Sequence, residues 1–238
     1  MKKSFFAMLD GLDGSGKGTV MQAFKEFLQS KGLKVLDVKE YSKKYDKLPE
    51  TSEIRKYDVI LSAEPTYCGI GKKIREEIIA SGSKYTVFET AKAFAEDREQ
   101  LYRQVIIPAL QQRKYVFQDR GIISSIVYQP AQGDISLNSL LKMPGNKLAL
   151  AYTPDYLIIM KINPKIACSR FEARKKQDNV RFETLEFQKK IQERYESRWL
   201  RQLFENHGSK VIYLDTNSPK TEQDTKNNAM KLIEQIMR

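Results

Sequence analysis

The apolar run Phe5, Phe6, Ala7, Met8, Leu9 ends in Asp10 and passes directly into Gly11-Leu12-Asp13-Gly14-Ser15-Gly16-Lys17-Gly18-Thr19. A strand that breaks into glycines and resumes as a helix constrains the chain more than any other stretch. Glycines let the backbone curl so that successive N–H groups and the helix N-terminus face one anion, while Lys17 adds an ammonium against the β- and γ-phosphates. Gly11, Gly14, Ser15, Gly16, Lys17, Gly18 and Thr19 are therefore expected to cradle the phosphates of ATP. Gly18 stands where Ser or Thr normally reaches the metal. Mg²⁺ then has to be held by phosphate oxygens, waters and carboxylates, with the Thr19 hydroxyl one residue late.

Downstream, apolar runs alternate with stretches of helical period, which predicts an α/β protein of the P-loop NTPase type, a three-layer sandwich with a parallel sheet between helices. Five strands are read, at 5–10, 34–38, 115–119, 156–162 and 211–214. Helices are expected after Gly16 and over 70–80, 87–112, 122–129, 164–174, 185–206 and 219–237, with Gly32 and Gly208 as stops. The length, 238 residues, and the 41% hydrophobic and 30% charged composition suit one domain over 1–238, with 41–57 as a surface insertion of no assigned function.

The net charge of +11 favours acidic partners without choosing among them, and most of the lysines read as solvated surface. Only Cys68 and Cys168 occur, far apart and in no metal spacing, which predicts a reducing, cytoplasmic setting. Asp10 cuts the first apolar run far short of a signal sequence or a span, so no membrane partner is expected. The single histidine, His207, reads as a helix-end residue and receives no role.

Two further constellations carry chemistry. The strand at 115–119 ends in Asp119-Arg120, and in open α/β sheets the ligand crevice lies at the carboxyl ends of strands. Asp119 is placed to reach the metal directly or through water, and Arg120 to face phosphates. The helix with Ala91, Phe94, Ala95, Arg98, Leu101, Tyr102 and Val105 on one face sets an arginine within an apolar stripe, so Arg98 needs a polar partner, and Phe94 lies one turn away as a stacking surface. The polar, basic connection over 169–182 reads equally as a mobile flap over phosphates or as a solvated hairpin.

These residues together resemble the thymidylate kinase family. The motifs that carry the resemblance are the Gly11 to Lys17 loop, Glu64-Pro65 with Ile70-Gly71 and Ile74-Arg75, Phe94-Ala95-Glu96-Asp97-Arg98, Asp119-Arg120 with Ser124-Ser125 and Tyr128-Gln129, Pro154-Asp155, and Arg181-Phe182-Glu183. The resemblance implies transfer of the ATP γ-phosphoryl group to dTMP, with Lys17 and Arg120 stabilising the group in flight. It implies that Asp13 binds the sugar 3′-hydroxyl or orders the metal, and that Glu64 and Pro65 line the acceptor site. Phe94 would stack on the pyrimidine, Arg98 would bond its carbonyl edge, Ser125 would lie near N3, and Tyr128 would crowd the 2′ position. The lid would be 174–182, with Arg174 or Arg181 supplying a charge that Gly14 cannot. The loop from Asp215 to Ser218 would touch adenine, and a homodimer is implied.

Three departures stand out. Ala63 occupies a position where many relatives have an arginine for the acceptor phosphate, so Lys72, Arg75 or Arg120 would replace it. Thr66-Tyr67 replaces a glycine pair, and Gly121 replaces an aromatic or histidine. The rival readings are a kinase acting on another nucleoside monophosphate or a nucleoside, and a basic P-loop ATPase that binds nucleic acid; the lid-like segment and the Phe94/Arg98 pair favour a small acceptor.

Overall fold

In the computed structural model, which describes residues 4–80, 82–174, 184–217 and 221–237, apolar segments are strands wherever helices can cover both of their faces. The chain runs β1 (Phe6–Gly11), α1 (Lys17–Ser30), β2 (Val35–Asp37), α2 (Val38–Tyr45), α3 (Thr51–Ile54), β3 (Val59–Ala63) and α4 (Gly69–Lys73). It continues through α5 (Val87–Leu101), α6 (Ile107–Gln111), β4 (Tyr115–Asp119), α7 (Ile122–Gln132), α8 (Leu137–Lys142), α9 (Pro144–Ala151) and β5 (Tyr156–Lys161). The last elements are α10 (Pro164–Arg174), α11 (Leu185–Tyr195), α12 (Arg198–Asn206), β6 (Lys210–Asp215) and α13 (Glu222–Met237). Single π-helical turns, Ile74–Ile78 and Tyr102–Ile106, extend α4 and α5.

All pairings in the sheet are parallel, in the order β2-β3-β4-β1-β5-β6. Alternation along β1 feeds two cores. Phe6 and Met8 pack with Ile60, Val116, Tyr102 and Ile126, while Ala7 and Leu9 pack with Val20, Phe24, Phe117 and Ile233 on the other face. Each large apolar side chain buried this way contributes about 1.5–3 kcal/mol, so the central strand is anchored from both sides. Register then aligns the carboxyl ends: Ala63 lies beside Asp119, Asp119 beside Leu9, and Gly11 beside Met160.

The sheet has six strands where five were expected. The additional one is β3, whose run Val59-Ile60-Leu61-Ser62-Ala63 is short and unbroken, a pattern that periodicity does not separate from a helix segment. The residues just before it, expected as a surface excursion, form the end of α2 and α3 and bury Leu48 and Ile54 in the core. The helix expected over 185–206 is two helices, because the chain turns at Glu196 and Ser197, where the Ser197 hydroxyl donates to the Arg194 carbonyl at 2.6 Å. Helices α8 and α9 were not anticipated. The second of these approaches α5 so closely that a Cβ on Gly145 would lie 1.9 Å from the Ala95 carbonyl oxygen, which makes glycine obligatory there and brings Asn146 against α5.

Candidate active site

The turn between β1 and α1 has the shape its glycines allow. Gly14 and Gly16 have φ of 78° and 88°, a region that disfavours other residues, and Gly16 begins α1 with no side-chain cap. The first N–H groups of α1 have no intrahelical acceptor and stay available to an anion. A Cβ on Gly14 would lie 2.5 Å from the Ala167 carbonyl oxygen, so α10 packs on the loop and excludes a side chain at this position. From the other side the Thr216 hydroxyl donates to the Ser15 carbonyl at 3.0 Å. The space beside Gly18 is open, and Thr19 is half-buried in the first turn of α1.

Lys17 is buried and turned back onto the loop, donating to the carbonyls of Gly11 at 3.0 Å and Leu12 at 2.8 Å. Burial, followed by the neighbouring Arg120 guanidinium, lowers its pKa to about 8. Polyphosphate favours the ammonium form, so binding raises that pKa, and the sign follows. Apparent ATP affinity should be flat below pH 8 and weaken by up to about tenfold per unit above it, with proton uptake on binding. Calorimetric titrations at pH 7 and pH 9, in buffers of different ionisation enthalpy, check this; equal affinities without proton uptake would remove Lys17 from the phosphate site.

At the end of β4 the backbone of Arg120 takes a φ of 65°, which costs a residue with a Cβ about 1–2 kcal/mol. The conformation is held by its N–H on the Leu9 carbonyl at 2.8 Å and by its own carbonyl, which accepts from Gln118 Nε2 at 2.9 Å. The guanidinium thereby reaches the loop: it donates to Asp13 Oδ1, to Asp10 Oδ1 at 3.3 Å, to the Gly11 carbonyl at 3.3 Å and to Ser124 Oγ at 3.0 Å. Burial acts to raise the Asp13 carboxyl, but Arg120 and then Lys17 outweigh it, leaving the group below the usual carboxylate range. Asp10, fully buried, also accepts from the Tyr195 hydroxyl at 2.7 Å, which ties α11 to the loop. Sequence reading used Asp10 only as the end of an apolar run. An acid closing a buried strand beside a glycine loop was the available signal, and its partners lie more than a hundred residues away.

Beside the loop lies a cleft of about 360 Å³ lined by Asp13, Glu64, Pro65, Phe94, Asp119, Arg120, Ser125 and Tyr128, all of them expected from the sequence. Lys39, Tyr67, Arg75, Thr90, Ser124 and Gln129 also line it. Lys39 is new, supplied by α2 from a stretch assigned no function. Arg98 is not on the wall. It is fully buried behind it, donating to Glu64 Oε2 at 2.6 Å, to Ser125 Oγ at 3.0 Å and to Asn146 Oδ1. The partner its stripe required is thus the protein itself. Burial raises the Glu64 carboxyl to about 7 even with Arg98 beside it. The buried Gln129 Oε1 has no hydrogen-bond partner among the described residues.

The departures acquire physical reasons. Thr66 clamps α5, its N–H and hydroxyl donating to Asp97 at 2.8 and 2.5 Å. Tyr67 stacks beneath Arg75, whose Cζ is 3.8 Å from the ring centre. A Cβ on Gly121 would meet the Met8 side chain at 2.5 Å, so Met8 fills the space a larger residue would need. Lys72 is exposed and does not line the cleft. Among the described residues no cluster of three or more His, Cys, Asp or Glu forms a metal cage. The donors present do suit Mg²⁺ shared with a nucleotide, because the buried Asp119 Oδ1 has no hydrogen-bond partner among the described residues, and this ion is commonly held by one or two carboxylates plus substrate phosphates. Burial raises the Asp119 carboxyl, with Lys17 and Arg120 opposing.

Arg174 ends α10, while Arg181 and the rest of the 174–182 lid assignment lie outside the described residues, as does Ser218 of the 215–218 loop.

A glycine loop that opens α1 between parallel strands, with an open cleft beside it and Arg120 bordering both, is the arrangement of the P-loop phosphotransferases. A thymidylate kinase family model matches residues 42–227. The chain is 32% identical to a probable thymidylate kinase of Pyrococcus horikoshii, with 72% of each chain covered. It is also 32% identical to a thymidylate kinase of Leptospira interrogans, covering 82% of this chain and 81% of the relative, and 28% identical to one of Geobacillus, covering 92% and 91%. The chain belongs to the thymidylate kinase family.

Proposed function

We propose that the protein transfers the γ-phosphoryl group of ATP to dTMP, giving dTDP and ADP. The observation that carries this reading is the position of Arg120, whose guanidinium bridges Asp13 and the loop carbonyl of Gly11 on one side and lines the cleft on the other. A phosphate oxygen of the acceptor, held in the cleft, attacks the γ-phosphorus in line as the bond to the β-phosphate oxygen breaks. Such a transfer asks for positioning and charge rather than a general base.

The loop amides from Gly14 to Thr19, apart from Ser15 whose N–H is on the Leu12 carbonyl, hold the β- and γ-phosphates, while the Gly11 N–H stays on Asp10 Oδ1; Lys17 leaves the loop carbonyls for the γ-phosphate, and Arg120 follows the charge across. Asp119 and Asp13 are the carboxylates for Mg²⁺, with Thr19 the nearest hydroxyl of α1. When bound, Mg²⁺ neutralises charge on the phosphate oxygens. In the cleft Phe94 stacks on the base, Ser125 and Gln129 meet its polar edge, and Tyr128 closes the 2′ side of the sugar. Arg98 works from behind by fixing Ser125 and Glu64. The chain from 1 to 238 acts as one domain, in a cytoplasmic homodimer; Cys68 and Cys168, which form no disulfide, suit that compartment.

A coupled ADP-release assay over a panel of monophosphates and nucleosides tests this. Turnover with dTMP should exceed that with dCMP, dAMP and dGMP by at least about a hundredfold in kcat/KM, since the wrong base leaves polar groups at Ser125 and Gln129 unpaired, and it should exceed turnover of thymidine by at least as much, since thymidine lacks the attacking phosphate. Turnover of another acceptor in preference to dTMP would reassign the substrate. ATP hydrolysis stimulated by DNA or RNA, with no acceptor needed, would replace the reading altogether.

A further inference from the structure

We propose that Lys39, carried by α2, binds the phosphate of the acceptor monophosphate together with Arg75, so that the segment after β2 completes the acceptor site. The inference rests on the cleft taking a nucleoside monophosphate. It begins from a concentration of like charge. Around the Tyr67 ring stand the Lys39 ammonium at 5.4 Å, the Lys43 ammonium at 5.1 Å and the Arg75 guanidinium at 3.8 Å from the ring centre. Cations gathered at this range repel one another, and a tyrosine face compensates only a small part of that.

The three differ in how their charge is met. Lys43 is exposed and has a carboxylate, Glu40, at 3.4 Å. Arg75 donates to the carbonyls of Pro65 and Thr66, neutral acceptors that leave its net charge in place, with Asp97 and Asp119 acting on it at longer range. Lys39 is half-buried, lines the cleft, and pairs with no carboxylate among the described residues. Lys39 and Arg75 therefore bring two cations into one cavity in which the carboxylates of Asp13 and Glu64 are already paired with Arg120 and Arg98, and which also offers Asp119, an aromatic ring, Phe94, and polar groups suited to a base. An anion is the ligand component that relieves this arrangement.

The carboxyl end of β3, where it borders the cleft, carries Ala63 and adds no cation. Position selects a phosphate: Arg120 and Asp119 line the same cleft, so a phosphate between them and Lys39 lies on the path to the loop. Lysine acts there as a point charge on a flexible stem, which suits a group that must keep one oxygen free to attack.

The test compares dTMP with thymidine, which lacks the phosphate, by calorimetric binding to the wild type, Lys39→Ala, Lys39→Arg and Lys43→Ala, beside steady-state kinetics. For Lys39→Ala, dTMP binding should weaken about tenfold to a hundredfold, as expected for loss of one charge-assisted contact, while thymidine binding stays within about twofold. KM for dTMP should rise more than kcat falls, Lys39→Arg should recover most of the affinity, and Lys43→Ala should change it less than about twofold. Unchanged dTMP affinity in Lys39→Ala would overturn the proposal, and so would equal losses for dTMP and thymidine, which would mark a structural role. If the wild type prefers another monophosphate, the acceptor assignment fails separately, and the same comparison of that monophosphate with its nucleoside decides Lys39.

Discussion

Replacing Lys17 by alanine should lower kcat by about a thousandfold or more while leaving the molecule folded. Lys17 is the only cation between Gly11 and Thr19, and loss of one donor to a developing charge commonly removes a factor of about a hundred to a thousand, with more where the donor carries a full charge. The structural cost is small by comparison. Alanine leaves the Gly11 and Leu12 carbonyls without the donors they now have at 3.0 and 2.8 Å, but it also relieves a lysine whose burial depresses its pKa to about 8. A melting temperature within a few degrees of the wild type is expected, and the assay and the melt together separate chemistry from folding. Activity within tenfold of the wild type would end the phosphate-loop assignment. Lys17→Arg should recover little, because a planar fork does not fit a turn shaped around a point charge.

The loop was legible because its determinants are local: spacing, three positive-φ glycines and a lysine lie within nine residues, and no distant contact is needed to see the shape. Asp119 and Arg120 were legible by a topological rule, since a polar pair at a strand's carboxyl end has one place to go in an open parallel sheet. The strand β3 was not, because a run of five residues, apolar but for Ser62 and without alternation, does not declare a period. Lys39 was not legible either. Nothing in Val38-Lys39-Glu40 distinguishes it from the neighbouring lysines, and only packing against β3 turns that face of α2 toward the cleft.

Arg98 lies between these cases. Periodicity showed that its side chain had to be buried and to need a polar partner, but Glu64, Ser125 and Asn146 stand 34, 27 and 48 residues away, and the resemblance supplied the base instead. Asp10 shows the same limit, with its Tyr195 partner 185 residues distant. Local chemistry was readable, then, and the cross-chain partners that hold it in place were not.

Arg98→Met should destabilise the protein by about 3–5 kcal/mol, the usual cost of breaking a buried ion pair by deleting one partner, and lower the melting temperature by about 10 °C. The methionine fills most of the volume, so the cost is electrostatic: Glu64 keeps only Gln118 Nε2, at 2.8 Å, and loses the guanidinium at 2.6 Å. The pH dependence distinguishes this from a packing defect. Glu64 already has its pKa raised from 4.5 to about 7, so the native state binds the extra proton and stability falls as pH rises between those values. Without Arg98 the folded pKa climbs further, and the loss continues above pH 7 at up to about 1.4 kcal/mol per unit. Adding Glu64→Gln to the variant should flatten that slope and restore part of the stability, since an amide carries no charge to strand. A variant that melts 10 °C lower at every pH from 5 to 8, unrelieved by Glu64→Gln, would show that Arg98 is held by packing alone and that the Ser125 wall of the acceptor cleft does not depend on this pair.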